Sequence, residues 1–196
     1  MKNNEYNSSK LAVIFPGIGY HKDKPLLYYA AKLMQSKGYD ILNISFSDMP
    51  SNVKGDASLM RKAADIASAQ TSALLKDVNL SSYDDVVFIG KSLGTVALSK
   101  YASENAPNVT QIWYTPVEAT FSFCTPDSKN IIAFIGDNDP WSDLSVIKKS
   151  AEESDIKLHI YPECNHSLEC GDPFRNIDVL KDVMEKTRDF IRSISA

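Results

Sequence analysis

The chain lacks several things that would place it in a special class. No apolar run among its 196 residues approaches the length needed to cross a bilayer, so a membrane-spanning protein is not expected. Its three cysteines are an odd number and too few for a disulfide framework, which fits a reducing cytoplasm. The opening segment, Met1-Lys2-Asn3-Asn4-Glu5-Tyr6-Asn7-Ser8-Ser9-Lys10, is polar and lacks the apolar core of a signal peptide. It is expected to be a flexible tail on a cytoplasmic protein. There is no excess of positive charge either. Lys and Arg number 21 against 25 Asp and Glu, net −4, and they are scattered rather than striped, so neither nucleic acid nor an anionic membrane surface is an expected partner. Metal ligands are short as well. Cys164, His166 and Cys170 form one partial cluster with no second half-site, so no metal and no cofactor is expected, and the thiols read as buried or merely adjacent.

What is present reads as one ordinary globular domain, 43% apolar and 23% charged. Six short apolar runs, Leu11–Phe15, Tyr39–Phe46, Val86–Ile89, Gln111–Thr115, Ile131–Ile135 and Ile156–Tyr161, are mostly continuous Val, Ile, Leu and Phe. That is the pattern of strands covered on both faces in a parallel sheet. Helical patterns lie between them at Pro25–Lys37, Ala57–Val78, Ser92–Glu104 and Asp143–Ser154, with Asn176–Ile194 at the end. The last has Ile177, Leu180, Val183, Met184, Thr187, Phe190, Ile191 and Ile194 on one face, a stripe that reads as core packing. Alternation of this kind predicts right-handed βαβ units and a three-layer α/β domain over residues 1–196, with its ligand site beyond the carboxyl ends of the strands.

One of those strand ends carries Gly90-Lys91-Ser92-Leu93-Gly94, between the run Val86–Ile89 and the helical stretch after it. A Gly-x-Ser-x-Gly in a strand–turn–helix context is a nucleophile elbow, which holds the serine hydroxyl exposed on a strained turn. With 8 Gly and 23 Ser, chance supplies about 0.04 such motifs in a chain of this length. The plainer alternative is a glycine-rich turn with Ser92 as a helix N-cap. Lys91 beside it is expected to be solvated.

A serine nucleophile needs a base. Of the three histidines, His159 lies within an apolar strand pattern and reads as structural, and His21 follows the first strand in a loop that could border a site. His166, in the loop after the last strand, is the best base. The imidazole then needs an acid to orient it. Asp137 and Asp139 both follow the fifth run, in Gly136-Asp137-Asn138-Asp139-Pro140. Asp139 is preferred because it sits far enough into the loop to turn back towards His166, while Asp137 is expected to cap the turn. For the oxyanion, the expected donors are the backbone N–H groups of Leu93 and of Ile18, with Gly17 next, in the loop Phe15-Pro16-Gly17-Ile18-Gly19-Tyr20. That loop lacks the lysine of a P-loop and the third glycine of a dinucleotide fingerprint.

These motifs, in the order Ser92, Asp139, His166, resemble the α/β-hydrolase superfamily over nearly the whole chain from Leu11 onward. The chain is similar to the small, nearly lidless esterases of the dienelactone-hydrolase-like group. The resemblance implies a six-stranded, mainly parallel sheet in the order 2-1-3-4-5-6, with the first strand here matching the family's third. Two positions depart from the pattern. Pro16-Gly17 stands where His-Gly is often found, and the nucleophile is Ser92 where dienelactone hydrolases proper use cysteine. The segment that often carries a lid is only Pro116–Asn130 here.

The expected function is therefore cleavage of a small carboxylic ester or thioester through an acyl-enzyme, with Tyr20, Phe121, Phe123 and Trp141 as possible pocket walls. A non-catalytic or very slow ligand-binding protein on the same scaffold, and an amide hydrolase or peptidase, are the alternatives. The oligomeric state is open.

Overall fold

Strands form where the apolar runs lie: β1 (Lys10–Phe15), β2 (Asp40–Asn43), β3 (Asp85–Lys91), β4 (Thr110–Tyr114), β5 (Ile131–Gly136) and β6 (Lys157–Tyr161). The structure is a computed structural model and describes residues 8–125 and 128–194. The strands pair in parallel in the order β2-β1-β3-β4-β5-β6, as expected. Of the tail expected at residues 1–10, residues 1–7 lie outside the described residues and Lys10 already opens β1.

The near-continuous apolar sequence of the strands is explained by what covers them. Ala12, Ile14, Val87, Ile89, Ile112, Tyr114, Ile132 and Phe134 point to one face, where α1 (Pro25–Ser36) and α5 (Pro173–Ile194) pack with Leu27, Ala30, Met34, Val183 and Ile191. Leu11, Val13, Phe15, Phe88, Trp113, Ala133 and Ile135 point to the other, against Leu75 of α2 (Ala57–Leu75), Leu98 and Tyr101 of α3 (Leu93–Asn105) and Ile147 of α4 (Leu144–Glu153). Neither face can be polar, because water reaches neither.

Three boundaries differ from the sequence reading by three residues, one of them the end of α2, at Leu75 and not Val78. β2 is shorter than Tyr39–Phe46, since it is an edge strand paired on one side only and its burial is partial. α5 starts three residues earlier, at Pro173, where a proline suits the first helical turn and the Asp172 carboxylate accepts the Arg175 N–H. The segment after β4 packs downward. Glu118–Phe123 forms a short 3₁₀ segment in which Thr120 is fully buried, and the Ser99 hydroxyl donates to the Thr120 carbonyl.

Candidate active site

The first component of the site is the turn between β3 and α3. Ser92 has φ 53° and ψ −121°, a left-handed conformation that L-residues avoid. The flanking glycines are required by contact rather than by dihedral. A Cβ on Gly94 would stand 2.3 Å from the Phe15 carbonyl oxygen, and one on Gly90 would stand 2.2 Å from a Leu98 methyl. The Ser92 N–H donates to the Tyr114 carbonyl at 3.0 Å, and the Thr95 N–H and hydroxyl both donate to the Ser92 carbonyl. These bonds fix the turn.

The other components arrive from neighbouring strand ends. After β5, the loop holds Asp139 with its side chain only 2% exposed. After β6, the loop lies against Gly136 so closely that a Cβ there would meet the Cys164 carbonyl oxygen at 2.0 Å. That loop delivers His166, whose Nε2 is 2.8 Å from Ser92 Oγ and whose Nδ1 is 2.7 Å from Asp139 Oδ2. The other Asp139 oxygen accepts the Trp141 N–H at 2.9 Å. Both carboxylate oxygens are thus held. The Trp141 ring stacks on the imidazole, with centroids 5.5 Å apart and planes 25° apart.

Electrostatics favour a neutral imidazole. Burial pulls His166 below the ordinary value, the hydrogen bond to Asp139 pulls the other way, and the charges of Lys91 and Lys54 lower it further. With Nδ1–H donating to Asp139, Nε2 is left as an acceptor for the serine hydroxyl proton.

Asp137, the alternative acid, does not reach the imidazole. Its Oδ1 accepts the Glu163 N–H at 2.6 Å, so it braces the histidine loop instead of capping its own turn. His159 stacks on Phe134 in the sheet, and burial holds its pKa below the usual value. His21 is exposed and bonds locally to the Asp23 N–H.

Ahead of the serine, the loop after β1 rests on the elbow. A Cβ on Gly17 would stand 3.1 Å from the Lys91 carbonyl and 3.2 Å from the Ser92 Cβ. The Gly17 N–H, however, donates to the Tyr20 carbonyl, which removes it as an oxyanion donor and leaves Ile18. Leu93 opens α3, so its N–H has no helical carbonyl four residues back.

Two grooves are lined by neighbours of the serine and not by Ser92 itself. One, of about 370 Å³, is lined by Gly17, Ile18, His21, Ile44, Phe46 and Met49. The other, of about 440 Å³, is lined by Met60, Leu93, Val96, Val117, Phe123 and Trp141. Phe123 and Trp141 thus line a groove that also includes Leu93, the residue after the serine. Phe121 does not. It packs edge-on against Trp113 in the core, because the segment after β4 folds down onto α3. Tyr20 is also buried, with its hydroxyl accepting the Leu26 N–H.

Lys91, which the sequence offers as a charge that tunes the nucleophile or, preferred, as a solvated side chain, is not solvated but 3% exposed, with Nζ 4.9 Å from the centre of the Tyr20 ring. Burial pushes its ammonium down to about 7, partly opposed by the charge of Asp139. The signal available was its position as the last residue of an otherwise buried strand.

Among the described residues, no group of His, Cys, Asp and Glu could hold a metal, and no helix is long and apolar enough to cross a membrane.

No protein-family model and no curated protein matches this chain. Solved structures do. Est1E from Butyrivibrio proteoclasticus, with ferulic acid bound, is similar at TM-score 0.66 and 13% identity, covering 98% of this chain and 93% of that one. XC6422 from Xanthomonas campestris, described as an α/β serine hydrolase without a lid, is similar at TM-score 0.64 and 16% identity, covering 96% and 85%. The Pyrococcus furiosus esterase Pf2001 is similar at TM-score 0.63 and 14% identity, covering 95% and 84%.

Proposed function

The chain has the α/β-hydrolase fold, and on that premise we propose that it is a serine hydrolase that cleaves a small carboxylic ester or thioester. The observation that carries this reading is the continuous line from Ser92 Oγ through the His166 ring to a buried carboxylate, with both bonds under 3 Å. A turn with Ser92 as a simple N-cap would make a side-chain cap bond, and none is present at α3.

In the proposed reaction, Ser92 Oγ attacks the acyl carbon as His166 Nε2 takes its proton, and Asp139 stabilises the resulting imidazolium. The carbonyl oxygen gains a negative charge facing the N–H groups of Leu93 and Ile18 at the positive end of α3. The C–O or C–S bond breaks as His166 returns the proton to the departing alcohol or thiol. Water repeats the sequence to release the acid and restore the serine. The two grooves, one lined by Gly17 and Ile18 and the other by Leu93, offer room for the two parts of a scissile ester. Their modest size and the downward packing of Glu118–Phe123 favour small substrates.

A fluorophosphonate probe tests the reading without knowledge of the substrate. Wild type should label, while Ser92→Ala and His166→Ala should not. Failure of folded wild type to label would move the assignment to a ligand-binding protein on this scaffold, and an ester, thioester and amide panel would then fix the bond cleaved by a labelled enzyme.

A further inference from the structure

Among the described residues only two charged side chains are buried, Asp139 and Lys91. Asp139 has His166 against it. No ion pair joins Lys91 to a carboxylate among the described residues, and its ammonium lies over the face of the Tyr20 ring. An apolar side chain would fill this position at a lower desolvation cost, so a lysine here calls for a reason.

We propose that Lys91 is a positioning residue, whose buried ammonium ties the oxyanion loop to the elbow through Tyr20 and places a positive charge beside the Ser92–His166 pair. This rests on the hydrolase reading. The contact over the Tyr20 ring carries the first half, and the place of Lys91 at the end of β3, next to the serine that His166 holds at 2.8 Å, carries the second. Tyr20 is bonded back to Gly17 through main-chain hydrogen bonds in both directions, so a cation held over its ring steadies the loop that carries Ile18. Tyr20 itself is fixed by the Leu26 N–H and, with burial pushing its hydroxyl up to about 12, stays neutral.

The imidazole faces charged and titratable groups from every side of the site. Ser92 and Lys91 approach from β3 and the elbow, Asp139 from the loop after β5, and Lys54 from the segment before α2, where its ammonium sits over the Trp141 ring. Glu169, farther along the histidine loop, acts on Tyr20. Lys91 and Lys54 are the two cations among these. Each makes imidazolium less stable, so His166 stays free to accept the serine proton at lower pH and gives it up more readily to a leaving group. Because burial brings the Lys91 ammonium down to about 7, its influence belongs to the acid side of neutrality and fades above it.

The test compares wild type, Lys91→Met and Lys91→Arg, with Lys91→Gln as a second neutral variant should the methionine fail to fold. Two quantities are read against pH: the fluorophosphonate labelling rate, and the titration midpoint of the His166 imidazole by NMR, which needs no activity. Lys91→Met should raise the midpoint by about half a unit or more and slow labelling about threefold near pH 6, with the curves converging above about pH 8. Lys91→Arg, whose charge persists, should hold the midpoint at or below that of wild type. An unchanged midpoint in the neutral variants, or a slowing equal at every pH, would overturn the proposal and leave Lys91 a packing role alone. If wild type does not label at all, the hydrolase reading fails, and the NMR midpoint still decides whether Lys91 acts on His166.

Discussion

Replacing Asp139 by asparagine tests the arrangement around the imidazole most directly. The carboxylate makes two bonds in the structure, accepting from His166 Nδ1 at 2.7 Å and from the Trp141 N–H at 2.9 Å. An asparagine amide has one oxygen and one NH₂, so it cannot accept both. If its oxygen stays on Trp141, the NH₂ faces Nδ1 and forces the tautomer that carries its proton on Nε2, where it cannot accept from Ser92. If the amide flips, the NH₂ opposes the Trp141 N–H and leaves two buried donors in conflict, at a cost of about 1–3 kcal/mol. That cost corresponds to roughly a 5- to 150-fold disadvantage for the competent tautomer, and the imidazolium also loses its counter-charge. The labelling rate of Asp139→Asn should therefore fall by at least about fivefold from the tautomer alone, and by up to about 10⁴-fold with the lost counter-charge added. Trp141 stacking should keep the ring in place, so the variant should fold normally by circular dichroism. A folded Asp139→Asn that labels within about fivefold of wild type, the smallest effect the tautomer argument allows, would refute the assignment of the acid.

Asp137→Ala should behave differently, costing about 1 kcal/mol of stability through the lost bond to the Glu163 N–H while labelling stays within about fivefold of wild type, as read by urea denaturation and probe kinetics. Gly94→Ala should destabilise by at least about 1–3 kcal/mol or prevent folding, since its methyl would meet the Phe15 carbonyl and β1 cannot retreat from β3. Stability should also depend on pH through three groups with depressed folded values. His166 and His159 bind protons more weakly folded than unfolded, so their contribution is present above about 6.5 and is lost as pH falls below it. Lys91 adds stability as pH rises from about 7 towards its ordinary 10.5, and Lys91→Met should remove that rise and be more stable than wild type at pH 7 in urea titrations.

The sheet was legible because parallel strands buried on both faces leave a continuous apolar signature, and five of the six runs end within a residue or two of the observed strands. β2 was overextended because an edge strand is limited by pairing, which composition does not record. The elbow and the histidine loop were legible because each rests on short-range rules: a motif at a strand end, or one histidine of three in the right loop. Choosing Asp139 over Asp137 depends on how far a loop must extend before it turns back; the structure puts Asp139 on His166 and Asp137 on the Glu163 N–H, where a cap on its own turn is the sequence expectation. What failed concerned burial. A lysine beside the elbow reads as solvated because lysine usually is, but the last residue of a central strand projects into whatever covers the sheet, here the loop carrying Tyr20. Phe121 reads as a possible pocket wall or as an ordinary core aromatic; contacts of Thr120 with α3 and of Phe121 with Trp113 put it in the core. Both outcomes depend on contacts between elements far apart in sequence.

The same downward packing bears on how the site holds its shape. Ser92 keeps a left-handed conformation that costs of order 1–3 kcal/mol, so something must hold it there. Its N–H is bonded to Tyr114 of β4, and its carbonyl accepts from Thr95, whose hydroxyl also lies 2.7 Å from that of Thr120. Thr120 belongs to the segment that would otherwise be free to form a lid. A segment bonded to the residue that holds the nucleophile turn cannot shift without disturbing that turn. The held serine is thus tied to the packing of Glu118–Phe123, and any change that moved this segment to admit a larger substrate would loosen the turn on which the proposed reactivity depends.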